Sequence, residues 1–206
     1  MAVVSDSEVA LAKRAAADGI LFEPMTFDWA SEPGPIGIAE LADETGDMDT
    51  MRRAEIGVPA IEQIFKRLNG LQPVLESGRV EKGFTAVLVH EPTDTIVEVD
   101  ELLHFTSHRL HTLKLYPGEM KLGFDLKEYK ALCEEHGPTT DRWRYGLASK
   151  MFGWHGLQKE RAWEDAVRDI GAWVMGHPPL IRVPAIDGDG DAAYDRVRDK
   201  LLKLKG

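Results

Sequence analysis

Hydrophobic residues recur at helical spacing along much of the chain. The strongest pattern lies in residues 157–175, where Trp163, Val167, Ile170 and Val174 share one helical face. Weaker patterns of the same kind predict further helices, over residues 6–18, 59–68, 126–136, 140–151 and 191–204. The chain is therefore expected to be mainly helical.

Two runs rich in β-branched residues, 84–90 and 95–100, interrupt this pattern and predict a β-hairpin. They flank residues 91–94, in which Pro92 occupies the position that a type I turn favours. A lone hairpin is only marginally stable, so it must pair with further strands or pack on helices. The sequence thus predicts a helix-rich α+β fold, with a small antiparallel sheet built around the hairpin at 84–100. We expect residues 1–206 to form a single domain.

Residues 21–50 change character and are rich in proline, glycine and acidic side chains. Such a composition does not support a long helix, so we expect an irregular segment that is either a covering loop or an arm. Its large apolar side chains need a surface on which to pack, either the core or a partner. They are the predicted interaction residues Phe22, Met25, Phe27 and Trp29.

The composition narrows the classes of partner. Hydrophobic residues make up 43% of the chain and charged residues 29%, and the net charge is −10. Nucleic acid is an unfavourable partner, because binding to its phosphates needs a basic surface. The only cysteine, Cys133, excludes an internal disulfide. Neither a signal peptide nor a stretch long enough to cross a bilayer is evident, so we expect no membrane contact. The expected location is the cytoplasm, or a particle assembled inside the cell.

Three of the seven histidines lie within residues 104–111. If residues 100–114 form a helix capped by Asp100, one polar face carries Glu101, His104, His108 and His111. Imidazoles four residues apart chelate transition metals such as Zn, Fe, Ni or Mn, and Glu101 would add a carboxylate. The alternative is a solvated polar face, because one helix rarely directs three side chains at one ion. Arg109 would also oppose a metal if it pointed inward.

Other motifs are incomplete or missing. The DGDGD sequence at 187–191 begins like a calcium loop, but Ala192 and Arg198 replace the glycine and glutamate that such a loop requires. The phosphate-binding, dinucleotide-binding, α/β-hydrolase and C-x-x-C motifs are all absent from the sequence. His155 and His177 lie beside glycine or proline in predicted loops, and are candidates to complete a site begun by the other histidines.

Two functions remain open. The absence of catalytic motifs and the character of residues 21–50 favour a non-enzymatic protein-interaction or assembly component. Such a component would self-associate or bind a protein partner, for example within a virion or another multi-subunit particle. The alternative is a metal-dependent enzyme or metal-binding protein that uses Glu101, His104, His108 and His111.

Overall fold

The computed structural model describes residues 4–27, 29, 35–73, 84–143 and 146–205. Within these residues the helices are α1 Asp6–Ala17, α2 Pro35–Thr45, α3 Met48–Arg67, α4 Ser107–Leu113, α5 Leu126–Thr140, α6 Leu157–Val174 and α7 Gly190–Leu201. The strands are β1 Glu23–Phe27, β2 Phe84–His90, β3 Thr95–Glu101 and β4 Ile181–Ala185. The predicted helix-rich α+β fold is confirmed.

The four strands form one sheet in the order β1-β2-β3-β4. The predicted hairpin is present as β2 and β3, with Val89 opposite Ile96. Strands β1 and β2 are also antiparallel, but β4 runs parallel to β3, so the sheet is mixed rather than antiparallel. The chain between β3 and β4 forms α4, α5 and α6, because parallel neighbours cannot be joined by a tight turn.

One face of the sheet is apolar and packs against α1 and α7. Side chains alternate between the two faces along a strand, so Val97 and Val99 of β3 point to the same side. They form a buried cluster with Val183 of β4, Leu11 of α1 and Tyr194 of α7. The two terminal helices are thereby fixed to the sheet.

The other face of β3 and β4 points toward α6. The predicted apolar stripe of α6 is buried, and Trp163 and Ile170 pack there against Ile61, Ile64 and Phe65 of α3. The opposite edge of α6 carries charged residues that face the sheet. This arrangement places polar side chains in the centre of the protein.

Two predicted helix boundaries are wrong. Helix α3 begins at Met48, with Asp47 as its cap, so Pro59 lies inside the helix rather than at its start. Helix α5 continues through Gly137 and Pro138 to Thr140. A side chain at Gly137 would lie 3.0 Å from the backbone of α4, so this glycine permits close helix packing instead of ending the helix.

The helix predicted over residues 140–151 does not form in the described part of that region. Its described residues form turns and an isolated bridge between Ser149 and Gly153. Trp143 and Leu147, which the spacing assigned to a buried stripe, are 51% and 46% exposed. Apolar residues spaced by four are therefore not sufficient for a helix here.

Residues 21–50, expected to be irregular, contain β1, α2 and the start of α3. Residues 28 and 30–34 of this segment lie outside the described part of the chain. Phe27 and Trp29 are buried in a cluster with Ala172 of α6, whereas Phe22 and Met25 are half-buried. Phe27, at the end of β1, and Trp29 therefore contribute to the protein's own core, whereas Phe22 and Met25 keep part of their surface exposed.

Candidate functional site

Five charged side chains are buried between the sheet and helices α4 and α6. They are Asp100 of β3, Arg109 of α4, Asp165 and Asp169 of α6, and Arg182 of β4, and none is more than 2% exposed. We call this group the charge cluster. An isolated buried charge costs several kcal/mol, so each member has to be compensated by its neighbours.

Arg182 lies at the centre of the charge cluster. Its Nη1 lies 2.9 and 3.1 Å from the two carboxylate oxygens of Asp100, and its Nε donates to Asp169 at 2.7 Å. The same guanidinium donates to the backbone carbonyl of Asp165 at 3.2 Å. One side chain thus links β3, β4 and α6.

Arg109 closes the cluster from the side of α4. Its Nη2 donates to Asp169 at 2.8 Å, and its Nη1 donates to the hydroxyl of Tyr116 at 2.8 Å. The Tyr116 hydroxyl in turn donates to Asp169 at 2.6 Å, while that of Tyr129 donates to Asp100 at 3.0 Å. The buried carboxylates are therefore held in fixed orientations by several donors each.

His104 forms the edge of the cluster that is open to the surface. It lies in a short 3-10 turn, Leu102–His104, that follows β3 directly. Its Nδ1 is 3.0 Å from Oδ2 of Asp165 and 3.3 Å from Oδ1 of Asp100, and its side chain is 21% exposed. A ligand from solvent therefore reaches the cluster at His104.

The charges explain why the imidazole is protonated easily. The three aspartates carry three negative charges and the two arginines carry two positive charges, and the partly buried Arg168 adds a third guanidinium 3.4 Å from Asp165. Burial disfavours a charged His104, but the nearby carboxylates of Asp165 and Asp100 outweigh this and raise its pKa. Burial also acts against ionised Asp165, yet His104, Arg182 and Arg109 hold its pKa well below the usual value.

Three of these groups are also close enough together to be ligands of one metal ion. Ligand atoms of Asp100, His104 and Asp165 all lie within 4.8 Å of one another. With metal–ligand bonds of about 2.1 Å, neighbouring ligands are about 3.0 Å apart in an octahedral site and about 3.4 Å apart in a tetrahedral one. The separations of 3.0 and 3.3 Å from the imidazole nitrogen to the two carboxylates match these values.

The predicted metal ligands do not come together. The helix assumed over 100–114 is wrong, because β3 continues to Glu101 and α4 begins only at Ser107, capped by Thr106. Glu101 points to the other side of the strand and accepts a hydrogen bond from Ser7 at 2.9 Å. His108 and His111 lie half-buried on α4. Of the four predicted ligands, only His104 belongs to the metal-compatible group found among the described residues.

The loop histidines do not join this group either. His177 accepts a hydrogen bond from the indole N–H of Trp29 at 3.0 Å and contacts Asp94 in the turn between β2 and β3. His155 follows the exposed Trp154 and has a left-handed backbone, with φ of 61°. The site is completed by aspartates instead.

Four members of the cluster were missed as site residues. The sequence pattern predicts only a helix-capping role for Asp100 and predicts no site role for Asp165, Asp169 and Arg182. A signal was present in the sequence, because Arg182 interrupts the apolar run Leu180–Val183 and the two aspartates are four residues apart on the strongest helix. Arg109 points into the protein, the orientation that was expected to disfavour a metal. Its guanidinium binds Asp169 there.

Comparison with known proteins gives one match. Neither a curated protein nor a solved structure matches the chain. Within the described residues, no helix has the length and apolar character needed to cross a membrane. A family of unknown function, DUF7255, matches residues 63–203, a region that includes His104 and the whole charge cluster. Because this match covers more than half of the sequence, the chain belongs to the DUF7255 family.

Proposed function

We propose that this protein is a metal-dependent enzyme that binds one divalent cation through Asp100, His104 and Asp165. The observation that carries the proposal is the convergence of two carboxylates and one imidazole from three different elements. The sequence-based alternative of a metal site is thus kept, but with a different set of ligands.

The donor set suits particular metals. Carboxylate oxygens and an imidazole nitrogen together favour Mn²⁺, Fe²⁺ or Zn²⁺ over a soft ion that requires thiolates. Three protein ligands leave coordination positions for water and substrate, which is the pattern of catalytic rather than structural sites. If the ion were Zn²⁺, it would lower the pKa of a bound water toward neutrality, so hydrolysis is the reaction class that this donor set supports.

The charge cluster supplies the support that such a site needs. Arg182 and Tyr129 fix the orientation of Asp100, and Arg182 also contacts Asp165. Groups that hydrogen-bond to metal ligands in this way hold the ligand atoms in fixed positions.

Metal binding is tested by titrating Mn²⁺ and Zn²⁺ into chelator-treated protein by calorimetry, together with elemental analysis of protein purified without chelator. We expect about one equivalent in the wild type and at least a tenfold loss of affinity in His104→Gln. His108→Gln is the matched control, because His108 lies on the adjacent helix outside the group, and it should bind as the wild type does.

Two results would contradict the proposal. If wild-type protein binds neither metal, or if His104→Gln binds it unchanged, the charge cluster is a structural ion network only. Far-UV circular dichroism of both variants separates loss of binding from loss of folding.

A protein-interaction or assembly role is a second candidate, supported by residues other than those predicted. Leu71, Leu147 and Trp154 are exposed, Trp154 to 70%. Leu71 donates its backbone N–H to Met151, so it lies beside the loop that carries the other two. Neighbouring exposed apolar residues are typical of interaction surfaces.

Sedimentation velocity over a range of concentrations tests self-association through this loop. Trp154→Ser should shift the distribution toward the monomer, whereas Val9→Ser, which removes an apolar residue of α1 that is 55% exposed, should not. A wild-type protein that is monomeric throughout would contradict self-association.

A further inference from the structure

A small cavity lies against the turn that carries His104. It is lined by Leu103, Trp143, Leu157, Gln158 and Arg161, and its volume is about 150 Å³. Leu103 immediately precedes His104 in the short turn after β3. A molecule in this cavity would therefore contact the turn that carries His104.

The size of the cavity limits what it can hold. An engineered protein cavity of about 150 Å³ accommodates one benzene molecule, so a single six-membered ring is the expected scale of ligand. Leu103 and Leu157 contribute aliphatic surface, and Trp143 contributes an aromatic side chain. A ring in contact with these side chains would remove apolar surface from water.

Arg161 gives the cavity a positive charge. Among the described residues no carboxylate lies within ion-pair distance of it, although Glu164, three residues along α6, interacts with it at longer range. Its hydrogen bond to the Leu103 carbonyl is long, at 3.5 Å. Arg168, seven residues further along α6, is instead within ion-pair distance of Glu98 and Asp165. A guanidinium with no carboxylate at ion-pair distance retains the planar pair of donors that binds a carboxylate.

We infer that the cavity binds a small ligand made of one ring and one carboxylate, of the benzoate type. The ring would lie against Leu103, Leu157 and Trp143, and the carboxylate would bind Arg161. As a substrate pocket this inference rests on the proposed metal-dependent activity, and its link to that activity is the turn that Leu103 and His104 share. As a ligand pocket it rests on the cavity and on Arg161 alone.

Benzoate is the probe, titrated into the full chain in the presence of a chelator and followed by calorimetry or ligand-observed NMR. Benzyl alcohol has the same ring without the charge, and acetate has the charge without the ring. We expect benzoate to bind at least about tenfold more tightly than either, because only benzoate uses both parts of the cavity.

Two variants assign the binding to this cavity. Arg161→Gln should weaken benzoate at least about tenfold and leave benzyl alcohol unchanged, because it removes the charged donor only. Leu157→Phe should fill the cavity and abolish binding of both. Lys159→Gln, a change of charge on the same helix away from the cavity lining, is the matched control and should have little effect.

The inference is overturned if benzoate does not bind, or if it binds Arg161→Gln and Leu157→Phe as it binds the wild type. Repeating the titration with Mn²⁺ separates it from the proposed function. Benzoate binding without metal binding would support the ligand pocket and contradict the metal-dependent enzyme. Metal binding without benzoate binding would support the enzyme proposal and contradict the pocket.

Discussion

The guanidinium of Arg182 lies 2.9 Å from the carboxylate of Asp100, although 82 residues separate them and both side chains are buried. Arg182 pairs in register with Glu98 on the parallel strand β3, and its side chain reaches along the strand to Asp100. The same guanidinium binds Asp169 of α6. This one residue therefore connects the sheet to the helix that covers it.

Removal of this arginine should be severely destabilising. Arg182→Met leaves buried carboxylates without their main partner, and breaking a buried ion network in this way costs about 3–5 kcal/mol in the free energy of unfolding. Arg196→Gln removes a half-exposed arginine paired with Asp187, and should change that free energy by less than about 0.5 kcal/mol. Urea denaturation of both variants checks the difference. Similar losses of unfolding free energy in the two variants would show that burial does not make the Arg182 ion pairs more important for stability than an exposed pair.

Stability without metal should depend on pH through His104. Its pKa is raised in the folded state, so its contribution is complete below the ordinary histidine pKa of about 6.5 and is lost as pH rises through the folded value. Urea denaturation with a chelator should therefore show a fall in stability above neutral pH, and His104→Gln should abolish that part of the fall.

His108 provides a comparison of opposite sign. Burial lowers its pKa, so its neutral form is favoured in the folded protein and its contribution is lost as pH falls. His108→Gln should reduce the loss of stability on the acidic side and leave the alkaline side unchanged. An alkaline effect in this variant would contradict the assignment to His104.

The packing of α3 against α6 should be disrupted by any side chain at Gly57, and the protein should be less stable as a result. A β-carbon there would lie 2.5 Å from Val174 Cγ2, so Gly57→Ala should cost about 1–3 kcal/mol despite the higher helix propensity of alanine. Gly118→Ala, where no atom lies within 4 Å, is the control and should be nearly neutral. Thermal denaturation measures both, and Val174→Ala combined with Gly57→Ala should recover part of the loss.

Acid unfolding should report on Asp18, which joins the end of α1 to α7. Its carboxylate accepts hydrogen bonds from Arg198 and Tyr194, and these lower its pKa to about 2. Its contribution is present above the ordinary aspartate pKa and is lost as pH falls toward about 2. Asp18→Asn should weaken the dependence of stability on pH in this range. Asp199→Asn, which changes an exposed residue of α7, should not. Circular dichroism recorded as a function of pH measures the acid unfolding of each variant.

Much of the fold could be predicted because local periodicity determines it. The α6 stripe and the hairpin were both predicted, since in each the side-chain spacing alone shows which residues share a face. Strand β4 was missed, because five residues between two loops give little periodic signal. The helix predicted over 100–114 failed because the leucines that suggested it also suit a strand followed by a 3-10 turn.

The helix-rich α+β class, the hairpin and the apolar face of α6 follow from the sequence alone. Only the tertiary structure decided that Asp100, Asp165 and Arg182 meet, because they come together only when β4 pairs parallel to β3 and α6 crosses the sheet. Hydrophobic periodicity records which face of an element is buried. It does not record which charged side chains that burial brings into contact, because those contacts depend on how distant elements are paired.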